Sequence, residues 1–258
     1  MSKVVKNLGH RINHGELDIG KLSKIIDDAY ATYNEPTERR KKSFAPSQIG
    51  FGHGKCPRYW YIAFDGATFE ENNQPQGIAN MKTGIAAHDR LGELLKRSSL
   101  DIVGLEVPLE HTDPPIFGYI DAVINRGGEL VIGEIKTTRT EAFRARQAKG
   151  EPPDYHLIQL LIYMHIRNAE TGFFLYEDKN THEILIMPVY MTDERKEYVE
   201  GVLEWMRGVR KSWEDRKLPE VPFRSNSKIC KGCPLRNTCF DEEQYGEGDV
   251  KVEPLKLL

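Results

Sequence analysis

Gly118-Tyr119-Ile120-Asp121-Ala122-Val123-Ile124-Asn125-Arg126-Gly127-Gly128-Glu129-Leu130-Val131-Ile132-Gly133-Glu134-Ile135-Lys136 reads as two apolar runs folded about a glycine pair. Gly127-Gly128 tolerates the left-handed backbone of a tight hairpin loop, so the runs become neighbouring antiparallel strands. Twelve residues separate Asp121 from Glu134, and a hairpin within that span can bring the two carboxylates to adjacent positions. An acidic residue inside Leu130-Val131-Ile132-Gly133-Glu134-Ile135 is costly unless its charge is compensated, and a divalent cation shared with Asp121 would do so. Lys136 then sits beside that cation. An ammonium next to a polarised water is suited to cutting a phosphodiester.

The chain around this hairpin alternates between the two periodicities. Upstream, a helix is expected over Leu22 to Tyr33, followed by the charged linker Glu38-Arg39-Arg40-Lys41-Lys42. A glycine-rich turn then leads into a short helix opening at Pro57, and a long helix spans Ala79 to Arg97 with Ile85, Leu91, Leu94 and Leu95 near helical spacing. Strands are expected at about Ile102 to Leu109, Ile116 to Ile124 and Glu129 to Thr137. Downstream come a basic helical segment (Arg139 to Lys149), an apolar helix (Asp154 to Ala169), strands over Phe173 to Glu177 and Glu183 to Val189, and a charged helix over Asp193 to Arg216. This order predicts an α/β fold with a central mixed sheet flanked by helices.

Composition narrows the partners only modestly. At 258 residues the chain can bury a real core, and its net charge of −3 with 29% charged residues lends no global support to a nucleic-acid partner. Any basic surface must be local. No run approaches the roughly 18 apolar residues of a membrane span, and Met1-Ser-Lys-Val-Val-Lys6 lacks an apolar signal core, so a soluble, cytoplasmic protein is expected.

The four cysteines are placed unevenly. Cys230, Cys233 and Cys239 crowd into one loop, while Cys56 could join them only from far away in sequence. In a reducing compartment this pattern favours a metal site over a disulfide framework, and both structural zinc and an iron-sulfur cluster accept four thiolates.

Two further groups join the hairpin. His88 follows the small residues of Gly84-Ile-Ala-Ala-His88, which would let its helix approach the sheet closely. Taken alone such a residue is more often an ordinary surface or core histidine than a ligand, but if it ligates, imidazole favours manganese over magnesium. Gln159-Leu-Leu-Ile-Tyr163 stacks an amide and a phenol at i, i+4 on one helix face, where the amide could hold Lys136 or a phosphate and the phenol could touch a DNA backbone. For nucleic acid, Arg139, Arg144, Arg146 and Lys149 lie just after the lysine. Arg58 stands near the first cysteine with Tyr59 and Trp60, whose rings either stack on unpaired bases or pack in the core.

Together, Gly-x-x-x-His88, Gly-Tyr-Ile-Asp121, Glu134-Ile-Lys136, Gln159-x-x-x-Tyr163 and the one-plus-three cysteines resemble the RecB-like branch of the PD-(D/E)xK nucleases. More narrowly, they are similar to the CRISPR-associated iron-sulfur exonucleases, their phage relatives and the AddB nuclease domain, over about Ser47 to Phe240. The resemblance implies a restriction-endonuclease-like core (46–225) and a cysteine loop (226–240) that completes a 4Fe-4S site with Cys56. A segment of open role (1–45) precedes them and a loose acidic tail (241–258) follows. It implies Mn2+ or Mg2+ bound by His88, Asp121, Glu134 and the main-chain carbonyl of Ile135, with Lys136 as the catalytic lysine and Gln159 and Tyr163 shaping the site. The activity implied is exonucleolytic cleavage of DNA, acting 5′ to 3′ on single-stranded ends, in CRISPR, phage or repair settings and with an integration, recombination or helicase partner. A DNA-end-binding adaptor and a structural four-thiolate metalloprotein are the competing expectations.

Overall fold

The computed structural model describes residues 18–34, 37–38, 40–70 and 73–258. The residues before Asp18, which make up much of the segment of open role, and Arg39 of the charged linker lie outside the described residues. Helix α1 (Ile19–Ala31) starts where the Asp18 carboxylate accepts a hydrogen bond from the Lys21 N–H, a side-chain cap for an otherwise orphaned donor. Strand β1 (Thr37–Glu38), α2 (Pro46–Ile49), α3 (Pro57–Asp65) and β2 (Thr68–Phe69), which pairs with β1, lead into the long helix α4 (Pro75–Lys96). Pro57 opens α3 as expected, and Gly66 at φ 98° ends it in the left-handed backbone open to glycine. Helix α4 begins four residues before its expected start, because Pro75 supplies a preset first turn.

The centre is a five-stranded mixed sheet in the order β3-β4-β5-β6-β7. Strands β3 (Ile102–His111), β4 (Ile116–Arg126) and β5 (Glu129–Thr138) form an antiparallel meander, turned at Gly127 and Gly128 with φ of 65° and 97°. Strand β6 (Thr171–Asp178) runs parallel to β5, so a crossover is required, and α5 (Thr140–Lys149) with α6 (Asp154–Ile166) provides it. Strand β7 (Ile184–Tyr190) closes the sheet antiparallel to β6, and α7 (Asp193–Glu214), α8 (Lys228–Lys231) and α9 (Arg236–Cys239) follow.

Both faces of the sheet are covered. Helix α6 is buried all round from His156 to Met164, in keeping with its mostly apolar sequence, and it packs with α2 and α7 in the larger core around Trp60, Ile132, Phe174 and Met206. On the opposite face α4 places Leu91 and Leu95 against Ala122, Ile135 and Leu175. The expected loose tail is instead pinned: Leu255 is buried, its N–H donates to the Lys55 carbonyl, and Val250 bridges to Pro219. Its acidic, glycine-bearing composition hid these contacts because most of them are made by backbone.

Candidate active site

Strands β4 and β5 pair from Arg126↔Glu129 up to Ala122↔Gly133 and then part. Asp121 and Glu134 are the first residues beyond the last pair, one on each arm of the fork. Freed from the ladder, the Ile135 N–H donates to Asp121 Oδ2 at 2.6 Å. A strand residue directs its N–H and C=O to the same side, so the Ile135 carbonyl also faces the fork, as a ligand there would require.

Glu134 is 1% exposed and Asp121 7%. Burial pushes both carboxyl groups well above the ordinary carboxylate range, while the Lys136 ammonium works in the opposite direction. Lys136 Nζ donates to Glu134 Oε1 at 2.5 Å and to Gln159 Oε1 at 3.2 Å, and Gln159 Nε2 donates to the same Glu134 Oε1 at 2.7 Å. The expected role of the amide in holding the lysine therefore has its geometry, with Glu134 as a second partner. Glu134 Oε2 is buried with no hydrogen-bond partner. A buried carboxylate oxygen left bare is expensive, and a cation would satisfy it.

His88 reaches the fork from α4. Its Nδ1 lies 3.7 Å from Asp121 Oδ1 and 3.9 Å from Glu106 Oε1, and ligand atoms of the three residues lie within 4.8 Å of one another. These separations are too long for hydrogen bonds but suit ligand atoms sharing one ion at about 2.1 Å each. Glu106 went unmarked in the sequence, although its setting inside an apolar run is the signal that singles out Glu134. At Glu106 the backbone takes a φ of 48°, and β3 changes faces: Leu105 packs on the α4 side, Val107 on the α6 side. This irregularity, opposite Asp121, turns the carboxylate into the fork.

Tyr163 is placed differently from expectation. Its ring is buried beneath β4, where any Cβ at Gly118 would lie 2.7 Å from the phenol oxygen, so glycine is what admits it. Burial raises its pKa, and its oxygen accepts from Gln159 Nε2 at 3.5 Å. The phenol is thus a wall of the site and is turned away from any passing backbone.

Arg58 also departs from the nucleic-acid role. It is 1% exposed, and its guanidinium donates to the carbonyls of Pro219, Cys239, Tyr245, Gly246 and Glu247 at 2.7 to 3.3 Å. Tyr59 and Trp60 are core residues, with the Trp60 indole N–H given to the Gly54 carbonyl at 2.7 Å. Arg146 is half-buried, lies over the Tyr176 ring and donates to Thr138. Arg139, Arg144 and Lys149 are exposed, the last two beside Glu183 and Glu151.

The four thiols converge. Cys56, Cys230, Cys233 and Cys239 line one pocket with Tyr59 and Phe223, and none is in a disulfide. Burial pushes the Cys56 and Cys233 thiols up to about 12, and each is raised further by the neighbouring cysteines.

No curated protein matches the chain in sequence. Among solved structures, the alkaline exonuclease LHK-Exo from Laribacter hongkongensis overlays at a TM-score of 0.53 with 13% identity, over 73% of this chain and 95% of that one. A crystal structure of LHK-Exo in complex with dAMP overlays at 0.51 with 16% identity, over 67% of this chain and 89% of that one. At such identities the likeness concerns the fold, a mixed sheet with helices on both faces. A family model for the PD-(D/E)XK nuclease superfamily matches residues 65–240, a span that holds the fork, His88, Lys136, Gln159 and three of the four cysteines. The chain belongs to the PD-(D/E)XK nuclease superfamily.

Proposed function

We propose that this chain is a divalent-metal-dependent deoxyribonuclease that trims DNA from its ends, taking single strands and working 5′ to 3′. The observation that carries the proposal is the fork itself: two buried carboxylates, one with a bare oxygen, face a histidine and a third carboxylate, with a tethered ammonium alongside. Direction and end preference follow from the resemblance in motifs to iron-sulfur exonucleases.

His88, Asp121, Glu134 and the Ile135 carbonyl would hold Mn2+ or Mg2+, with Glu106 as a further carboxylate. When bound, the cation supplies positive charge at the nonbridging and leaving oxygens of the phosphodiester. Lys136, held by Glu134 and Gln159, orients the attacking water and stabilises the negative charge that grows as its proton leaves. Gln159 fixes the ammonium against Glu134, and Tyr163 closes the floor beneath the amide.

The cysteine pocket supports a 4Fe-4S cluster in preference to zinc. The four free thiols line one pocket, no second C-x2-C pair supplies the other half of a zinc ribbon, and the resemblance in motifs is to iron-sulfur exonucleases. Such a cluster would tie Cys56, at the mouth of α3, to the C-terminal loop.

The test is cleavage of labelled single-stranded and duplex DNA by the purified chain with Mn2+ or Mg2+. Asp121→Ala and Lys136→Ala should fold, keep a brown cluster absorbance and fail to cut. Metal-dependent cutting retained in both variants would refute the assignment.

A further inference from the structure

We infer that unpaired nucleobases are held beside the fork in a slot between the exposed flank of α4, Met81 and Ile85, and the exposed rings of Phe117 and Tyr119 on β4. This deepens the nuclease proposal and rests on it. Gly118 faces α6 through its contact with Tyr163, so Phe117 and Tyr119, its neighbours on an alternating strand, point to the opposite, α4 side. Their rings meet edge to face at 5.3 Å and are left open to solvent, Tyr119 by 50%. A pair of stacked-ready aromatic faces on the strand that carries Asp121 has no core to fill.

The opposite wall follows from the register of α4. Met81, Ile85, His88 and Gly92 recur at helical spacing along one flank. Gly92 approaches Leu105, and His88 approaches Glu106 and Asp121. The next residues on that flank, Ile85 and Met81, are 60% and 53% exposed. From His88 to Met81 the helix advances about 10 Å, and from Asp121 to Phe117 the strand advances about 13 Å. Both walls therefore leave the carboxylates in step.

What occupies such a slot is fixed by its continuity with the fork. A phosphodiester seated at Asp121 sends its adjoining base within reach of Tyr119, about 7 Å along the strand. In a duplex that base is stacked and paired, whereas in a single strand its apolar faces are free for the rings, Ile85 and Met81.

Binding in Ca2+, which slows cleavage, is measured by fluorescence anisotropy for a base-bearing single strand and for one with abasic sites at the two nucleotides flanking the cut. The unsubstituted protein should favour the base-bearing strand, and Phe117→Ala with Tyr119→Ala should shrink that preference at least about fivefold per ring, with Tyr119→Trp restoring it. An unchanged preference in the double variant would overturn the slot. Should that variant misfold, 2-aminopurine at the same nucleotides decides: its fluorescence is quenched on binding the unsubstituted protein if the rings stack on it, and unquenched fluorescence overturns the slot. Cleavage in Mn2+ is scored separately. Cutting with an unchanged base preference sinks the slot alone, and absence of any metal-dependent cutting sinks the nuclease proposal.

Discussion

Arg58→Met should loosen the C-terminal third of the molecule without touching the fork. The guanidinium makes five hydrogen bonds to main-chain carbonyls, those of Gly246 at 2.7 Å, Pro219 and Tyr245 at 2.9 Å, Glu247 at 3.2 Å and Cys239 at 3.3 Å. A hydrogen bond to a charged group contributes about 1.5 to 3 kcal/mol, but two nitrogens serve all five acceptors and the contributions do not add. Methionine keeps much of the stem packing and escapes the cost of burying a charge, including that of the unpartnered Nε. A net loss of about 3 to 5 kcal/mol results, which in a chain of this size lowers the Tm by roughly 10 °C. Arg58→Lys should recover only part of this, since an ammonium offers three donors and no planar fork. Scanning calorimetry gives the Tm, and limited proteolysis reports whether residues 241–258 have been released. A Tm within about 2 °C of the parent chain, with the tail equally protected, would show that Arg58 is not what seats it.

Three further outcomes follow. Asp121→Asn removes one of two buried negative charges, so the metal-free variant should melt no lower than the parent at pH 8 while losing the rise in Tm that Mn2+ gives the parent. A metal-induced rise preserved in the variant would refute ligation by Asp121. Cys239→Ala should lose most bound iron, measured by visible absorbance and metal analysis, and melt several degrees lower; full iron content in the variant counts against a cluster at these thiols. Burial, with help from Lys136 and Arg146, lowers the His156 pKa from 6.5 to about 3. A depressed folded pKa gives stability that is present above pH 6.5 and lost as the pH falls, about 2 kcal/mol by pH 5. His156→Gln should flatten the loss between pH 6.5 and 4 in urea titrations, and an unaltered slope would show that the imidazole is not the group being charged.

Much of the fold was legible because its signals are local. Gly127-Gly128 needs only its own backbone freedom to make the hairpin, and the mostly apolar composition of α6 is enough to bury it. The meeting of Asp121, Glu134 and Lys136 was legible for a related reason: a charge inside an apolar strand is an anomaly at the level of single residues, as at Glu134. What escaped is long-range. Arg58 beside Tyr59 and Trp60 has the composition of a nucleic-acid contact, yet its partners are carbonyls 161 to 189 residues away, and a carbonyl has no residue identity to read. The packed tail was missed for the same reason.

Glu106 marks the other limit. Alternation along β3 would send residues 105 and 107 to one face, and the left-handed residue between them breaks that rule. A non-glycine residue in that region carries a cost of order 1 to 3 kcal/mol, which a strand accepts only where the surroundings impose it. Here the bend turns a carboxylate toward His88 and Asp121, at the level where the β4–β5 pairing ends. The irregular residue thus sits where the proposed ion site and the proposed base slot adjoin. Glu106→Gly should leave the bend and the exposed rings in place while weakening Mn2+ binding, whereas Glu106→Val, which resists a positive φ, should disturb both. Equal Mn2+ affinity in the glycine variant and the parent chain, measured by isothermal titration calorimetry, would mean that the bend serves the slot and the carboxylate does not serve the ion.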